Sequence, residues 1–285
     1  MTEFERALPK LLTHEGGYVN HPADPGGATN KGVIQRTYDT FRVSVNQPKR
    51  SVKLINDVEV RAIYRREYWD RFQGDKLAPG VSYVVFDGSV NSGVSQSVKW
   101  LQRALKEMGL YTGLIDGQLG QGTLLAAGGV NDNDTLIARI ITRREAFLRA
   151  LKTFKVFGKG WMSRIKGVLA VGQAWATGSV GPEVFYTPGG EARALVTDAK
   201  SAPNVGAADA LTGAGVGSTS VGGMLKAAQE QLSPLAGAGH FIDQAVAVLV
   251  IAGLAVGVGS YAYRWYAKKR RDERADALDI APVAA

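Results

Sequence analysis

The composition of the chain changes sharply at Thr177. From there to Gly239, Gly, Ala, Ser, Thr, Val and Pro dominate, and aromatic residues almost vanish after Tyr186. A segment of this kind cannot bury enough apolar surface to offset the conformational entropy that folding removes. Residues 177–240 are therefore predicted to form a flexible, disordered linker, and the folded part of the chain is expected before it.

The first 176 residues show the periodicity of α-helices. Thr2 and Glu5 have the spacing of a capping box, and Phe4, Leu8 and Leu11 then recur on one helical face. Amphipathic patterns of the same period follow further along the chain, at 57–72, 95–108 and 135–154. A mainly α fold is predicted for this region.

Two carboxylates and a hydroxyl lie close together near the start. Glu15 follows the apolar face of the first helix, and Gly16-Gly17 is expected to stop that helix. Apolar surroundings and the negative helix end both disfavour an anion, so the pKa of Glu15 should be raised. Asp24 lies in a Pro- and Gly-rich turn, where it should stay ionised, and Thr29 follows it. Two carboxyl groups with separated pKa values are typical of a glycosidase, although a helix end followed by a simple turn would give the same pattern.

The wider motif resembles a known family. His14-Glu15-Gly16-Gly17-Tyr18, followed by Asp24-Pro25-Gly26-Gly27 and then Thr29 and Gly32, is similar to the opening of glycoside hydrolase family 108, a lysozyme family common among phage endolysins. The similarity continues through 63–69, 86–93 and a Gly-Trp-x-x-Arg segment at 160–164, and it covers roughly residues 1–176.

The resemblance implies the fold, the domains and the site. A lysozyme-like helical catalytic module is expected at 1–90 and a helical peptidoglycan-binding half at 91–176. Glu15 would be the catalytic acid, with Asp24 and Thr29 as further catalytic candidates. Predicted substrate-binding residues are Tyr18, His21, Asn30 and Asp116. Asp116 begins an Asp-Gly-x-x-Gly loop like that of wall-binding modules, but the proline often found there is replaced by Gln121. The loop could equally be a simple turn between helices.

Charge and composition restrict the partners. Residues 1–176 carry 25 Lys and Arg against 16 Asp and Glu, a net charge of +9, and the remainder carries a net charge of −1. A basic module suits an anionic polymer such as peptidoglycan, and the scattered charges and missing motifs argue against nucleic acid. There is no cysteine, and the three histidines lack the spacing of metal ligands, so no metal and no cofactor are expected.

An uncharged stretch of 19 residues, Ala245–Tyr263, is long enough to cross a bilayer as a helix. A single transmembrane helix is predicted at 241–266, followed by a basic, then polar cytoplasmic tail at 267–285. The Lys and Arg residues after Tyr263 predict a single-pass inner-membrane protein with its C-terminus in the cytoplasm and its catalytic module in the periplasm. Alternatively, the module stays in the host cytoplasm until a holin or other membrane disruption releases it.

The predicted function is hydrolysis of the β-1,4 bond between N-acetylmuramic acid and N-acetylglucosamine by a phage or prophage endolysin. Retaining and inverting chemistry both stay open, because the separation of the carboxyl groups decides between them. A lytic transglycosylase is one alternative, although it needs no second carboxylate. A non-catalytic wall-binding or virion-associated structural protein is the other.

Overall fold

The computed structural model describes residues 1–20, 27–204, 230 and 240–280. His21 and Asp24, two of the predicted site residues, lie outside the described residues. The chain forms two compact units: residues 1–200 with 277–279, and residues 201–276 with 280–285. The described part is mainly helical.

The described part of the first unit contains eight complete α-helices and one short hairpin. The helices are α1 (Glu3–Leu12), α2 (Gln35–Ser44), α3 (Asp57–Tyr64), α4 (Val81–Ser92), α5 (Val94–Glu107), α6 (Gln121–Gly128), α7 (Asn133–Arg149) and α8 (Phe154–Ala176). The antiparallel strands β1 (Thr29–Asn30) and β2 (Val33–Ile34) form the hairpin. A π-helical turn, Arg65–Trp69, continues α3, and single 3-10 turns occupy Val52–Leu54, Asp70–Phe72, Gly74–Lys76 and Val196–Asp198.

Helix α4 forms the centre of this unit. All of its residues are buried, which is consistent with a sequence that has no charged residue except Asp87. Helices α1, α5, α7 and α8 pack around it. On one side, the Phe86 ring lies 5.3 to 5.8 Å from the rings of Trp69 and Phe4. Burial of such rings is the main source of the fold's stability.

In the predicted linker at 177–240, residues up to Lys200 belong to the first unit. Residues 205–229 and 231–239 of that prediction lie outside the described residues. The carbonyl of Ala192 accepts hydrogen bonds from Trp161 Nε1 at 2.7 Å and Asn91 Nδ2 at 2.8 Å. The amide of Lys152 donates to the carbonyl of Asp198 at 2.8 Å. These hydrogen bonds hold the segment in place, although its composition provides little apolar surface to bury.

The second unit contains residues up to Asp276 of α9 (His240–Leu278), a helix of 39 residues. Tyr263 Oη donates to the carbonyl of Asn204 at 2.8 Å, and Arg271 donates to the carbonyl of Pro203.

The predicted transmembrane helix at 241–266 is wrong, and so is the single-pass inner-membrane location with its assigned topology. Within the described residues, no helix combines the length and the apolar character that crossing a bilayer requires. The uncharged run at 245–263 is one part of α9, which continues without a break into the charged segment up to Leu278. A short window of sequence could not reveal that continuation.

Candidate active site

Glu15 lies just beyond the end of α1. The amides of His14 and Glu15 donate to the carbonyls of Leu11 and Leu12 at 2.9 and 3.1 Å, so the chain makes one further turn after the helix. This turn directs the Glu15 side chain inward, where only 9% of it is exposed. Its Oε1 accepts a hydrogen bond from Arg164 Nη2 of α8 at 3.0 Å.

Arg164 joins Glu15 to a buried cluster of charges. Its Nε donates to both carboxylate oxygens of Asp87 at 3.0 and 3.1 Å, and its Nη1 donates to the carbonyl of Gly190 at 2.9 Å. Arg144 Nη1 of α7 lies 2.7 Å from Asp87 Oδ1. The side chains of Arg144, Arg164 and Asp87 are 0 to 1% exposed. Asp87 therefore has a structural role, because it pairs with two buried arginines.

Burial raises the pKa of Glu15, and the guanidinium of Arg164 offsets only part of that effect. Asp87 shows the opposite result: burial alone would raise its pKa, but Arg164 and Arg144 together hold it well below the usual range. Burial also lowers the pKa of His14 to about 4, so this ring is neutral at neutral pH. Glu15 is thus the carboxyl group of this cluster that is prepared to hold a proton.

The β1–β2 hairpin covers Glu15 through Gly32. Gly32 has a φ of +75°, and a Cβ atom on it would lie 2.7 Å from Glu15 Oε2 and still closer to the hydroxyl of Tyr64. Tyr64 Oη donates to the carbonyl of Lys31 at 2.9 Å, which fixes this close approach. The last glycine of the sequence motif therefore makes room for the carboxyl group.

A cleft of about 430 Å³ opens at this hairpin. Its lining residues come from β2, α2, α3, the π-helical turn, the start of α5 and the segment after α8: Gly32, Val33, Ile34, Thr37, Ile63, Tyr64, Glu67, Tyr68, Arg71, Gly93, Val94 and Arg193. Tyr64 and Tyr68 both line it. A pocket lined by apolar groups with a few polar ones is the usual form of a ligand site.

The other predicted residues near Glu15 are placed differently. Thr29 lies in β1, where its amide and carbonyl pair with Val19 at 2.8 Å and its hydroxyl donates to the carbonyl of Gly27 at 3.3 Å. Asn30 is buried and donates to the carbonyls of Val52 and Lys53, both at 3.2 Å. Tyr18 is 40% exposed. None of the three is among the residues lining the cleft.

Sequence reasoning missed Arg193, which lies in the expected linker. It also gave no role to Arg164, although the Gly-Trp-x-x-Arg segment contains it. The signal available for Arg164 was the lone arginine on a helical face that is otherwise apolar, near Trp161, Ile165 and Val168. A buried arginine needs an acidic partner, and this could have directed attention to Asp87 and Glu15.

Asp116 lies in a separate loop between α5 and α6. Its Oδ1 accepts from Gln102 Nε2 at 2.8 Å and from the amide of Gln118 at 2.9 Å. Gln102 is fully buried, and its Oε1 accepts from the amide of Gly117 at 2.9 Å. The Gln102 hydrogen bond, followed by that of Gln118, lowers the pKa of Asp116. Asp116 therefore organises a turn and stays ionised.

A second cleft, of about 450 Å³, lies at this loop. It is lined by the loop residues 116–120 together with Arg71, Gln73, Val94 and Ser95. Arg71 and Val94 line both clefts. The cleft at the β1–β2 hairpin and the cleft at the Asp116 loop therefore adjoin each other on the first unit.

The chain is similar to two protein-family models and to a solved structure. Residues 8–93 match the family model described as glycosyl hydrolase 108, and residues 96–166 match the predicted peptidoglycan domain. The solved structure of SagA from Brucella abortus is 36% identical, with a TM-score of 0.52. That match covers 61% of this chain and 95% of the SagA chain. The search of curated proteins gave no match. The chain belongs to the glycosyl hydrolase 108 family and is a glycoside hydrolase that acts on peptidoglycan.

Proposed function

We propose that the protein is an N-acetylmuramidase, a lysozyme that cleaves the β-1,4 bond between N-acetylmuramic acid and N-acetylglucosamine. The observation that carries the proposal is the state of Glu15. Its carboxyl group is nearly excluded from water, has a raised pKa and touches Gly32 of the cleft. A general acid for glycosidic cleavage needs these properties, because it must hold a proton at working pH and release it to the leaving oxygen.

Arg164 orients this acid in the proposed mechanism. The single hydrogen bond to Oε1 fixes the side chain, while Oε2 lies toward Gly32, one of the residues that line the cleft. After Glu15 has given up its proton, the guanidinium stabilises the resulting carboxylate. Arg164 thus limits how far burial raises the pKa of Glu15, and the carboxyl group can still hold a proton before the reaction.

Asp24 and Thr29 are proposed as the second catalytic group on the strength of the sequence motif. Asp24 would stabilise the oxocarbenium-like transition state or orient the attacking water, and Thr29 would assist it. We propose lysis of a phage host as the biological setting, which rests on the resemblance of the motif to phage endolysins.

Mass spectrometry of digested muropeptides tests the reaction directly. A hydrolase releases products with a reducing N-acetylmuramic acid end, whereas a lytic transglycosylase releases the anhydro form. We expect the reducing product from the wild-type protein. Anhydro products would replace the proposal by the transglycosylase alternative, and the absence of any product from a folded protein would favour a wall-binding role.

Replacing Glu15 with Gln tests the acid. The amide keeps the shape but cannot donate the proton, so we expect wall hydrolysis to fall at least about a thousandfold. Glu67→Gln is the matched control, because Glu67 also lines the cleft but is 39% exposed. Loss of activity at Glu67 with activity retained at Glu15 would reassign the acid. The same assay on Asp24→Asn and Thr29→Ala tests the second group.

A further inference from the structure

The cleft at the Asp116 loop (the loop cleft) differs in its lining from the cleft at the β1–β2 hairpin (the hairpin cleft). Six of the twelve residues that line the hairpin cleft are aliphatic or aromatic, Tyr64 and Tyr68 among them. Of the nine that line the loop cleft, only Val94 and Leu119 are apolar. The volume of the loop cleft, about 450 Å³, lies in the range of roughly 300–1,000 Å³ for small-ligand sites. The two clefts therefore suit different chemical groups.

The walls of the loop cleft are held in place. Gln73 Nε2 donates to the carbonyl of Leu119 at 2.7 Å, and Gln73 Oε1 accepts from Lys76 Nζ at 2.7 Å. Gly117, with a φ of +75°, lies so close to the start of α5 that an added Cβ would be 2.6 Å from the carbonyl oxygen of Ser95. A site that is formed before its ligand arrives loses less entropy on binding.

Arg71 lies where the two clefts meet, because it lines both of them. It is exposed, whereas the next residue, Phe72, is fully buried and anchors the turn that carries it. The neighbouring carboxylates of Asp70 and Asp75 pair with Arg65 instead. Within the described residues, Arg71 forms no ion pair with a carboxylate. Its guanidinium can therefore present a planar fork of donors, which matches a carboxylate closely.

The acidic residues that line the two clefts have partners of their own. Asp116 of the loop cleft accepts from Gln102 and from the amide of Gln118. Glu67 of the hairpin cleft lies 3.6 Å from Arg66. The junction of the two clefts is therefore suited to an anionic group of a ligand.

We propose that the loop cleft binds the stem peptide of peptidoglycan and that Arg71 recognises a carboxylate of this peptide. The inference rests on the proposed function. In peptidoglycan the lactyl group of N-acetylmuramic acid is joined by an amide bond to a short stem peptide, which carries free carboxylates of its own. Because the two clefts adjoin, a glycan in the hairpin cleft can place its peptide in the loop cleft. Arg71 thereby sets a preference for glycan whose peptides are still attached.

Binding measurements on the inactive Glu15→Gln protein test this role. Isothermal titration calorimetry would compare three probes. The acidic probe is a tetrasaccharide of alternating N-acetylglucosamine and N-acetylmuramic acid that carries stem peptides with free carboxylates. The amidated probe is the same molecule with those carboxylates converted to amides, and chitotetraose has no peptide. We expect Arg71→Gln to weaken binding of the acidic probe by about 10- to 100-fold, the range for a lost hydrogen bond to a charged group. Binding of the other two probes should stay within about twofold.

Three further variants distinguish recognition of the peptide from a structural effect. Arg71→Lys keeps the charge and should recover part of the affinity for the acidic probe. Gln118→Trp places a bulky side chain at an exposed position of the loop cleft, so it should weaken both peptide-bearing probes and leave chitotetraose unchanged. Arg36→Gln, at an exposed position on α2 outside both clefts, should change none of the three affinities. Thermal unfolding of each variant reports whether the fold is retained.

Equal weakening of the acidic and amidated probes by Arg71→Gln, or no weakening of the acidic one, would overturn the role of Arg71 and leave the proposed function intact. Unchanged binding of the peptide-bearing probes by folded Gln118→Trp would overturn the loop cleft as the peptide site. If the folded Glu15→Gln protein binds none of the three probes, the proposed function itself fails, and the inference fails with it.

Discussion

Glu15 and Asp116 are two carboxyl groups of the same unit in opposite surroundings. Glu15 is nearly buried and contacts one guanidinium, and burial raises its pKa. Asp116 is exposed and accepts hydrogen bonds from a side-chain amide and a backbone amide, and these lower its pKa. The contrast shows how burial and hydrogen-bond donors act in opposite directions on the pKa of a carboxyl group: at Glu15 burial exceeds the effect of one guanidinium, whereas at exposed Asp116 the donors prevail.

The largest expected effect comes from breaking the buried cluster behind Glu15. Asp87→Asn leaves Arg144 and Arg164 in the interior without their shared carboxylate, and we expect a loss of about 3–5 kcal/mol in the free energy of unfolding. Asp116→Asn keeps the shape of an exposed group and should cost less than about 1 kcal/mol. Urea denaturation at neutral pH measures both, and similar losses for the two variants would contradict the contrast.

The next prediction concerns the space beside Glu15. Gly32→Ala places a methyl group against Glu15 and the Tyr64 hydroxyl, so the acid must move, and we expect kcat/KM to fall about 100-fold. Gly109→Ala is the control, because Gly109 has a nearly equal φ of +73° with no atom within 4 Å of the added Cβ. Both variants carry similar backbone strain, and only Gly32→Ala adds the steric overlap, so an equal loss of activity would show that strain alone is responsible.

A smaller effect is expected in the Asp116 loop. Gln102→Ala removes the leading cause of the lowered pKa of Asp116 and the acceptor of the Gly117 amide. The pKa of Asp116 should therefore rise toward its ordinary value, and stability should fall by about 1–3 kcal/mol. NMR titration of the Asp116 carboxyl carbon follows the first change, while the activity limb set by Glu15 should not move. An unchanged pKa of Asp116 would exclude Gln102 as its cause.

The smallest effect is a shift in the pH profile of hydrolysis. The reaction needs protonated Glu15, so activity falls as pH rises through the pKa of Glu15 in the folded protein. Arg193 lowers that pKa, and Arg193→Gln should therefore move the alkaline limb of kcat/KM to higher pH. Arg36→Gln, which removes a charge from an exposed position on α2 outside the cleft, should leave the limb in place. A shift to lower pH in Arg193→Gln would contradict the assigned direction.

The local parts of this site could be predicted from sequence. The raised pKa of Glu15 followed from the apolar face of the first helix. The partners could not be predicted, because Arg164 lies 149 positions from Glu15 and a single sequence does not show which distant helices meet.

The segment after α8 shows another limit of sequence reasoning. The composition of a segment indicates how much apolar surface it can bury. It does not reveal donors elsewhere in the chain, such as Trp161 and Asn91, that form hydrogen bonds with a carbonyl of the segment. The apolar run at 245–263 led to the wrong prediction of a transmembrane helix, because its length and lack of charge describe only part of the longer helix α9.

The distance along the chain between Glu15 and Arg164 has a consequence for how the enzyme is made. At about 5–20 residues per second, the ribosome needs roughly 7–30 s after adding Glu15 to reach the codon for its partner. During that time the nascent chain carries its acid without the guanidinium that orients it. A product that terminates before Arg164 therefore contains the recognisable N-terminal motif but not a finished acid. We therefore expect hydrolytic activity only after the ribosome has translated the chain as far as Arg164 of α8.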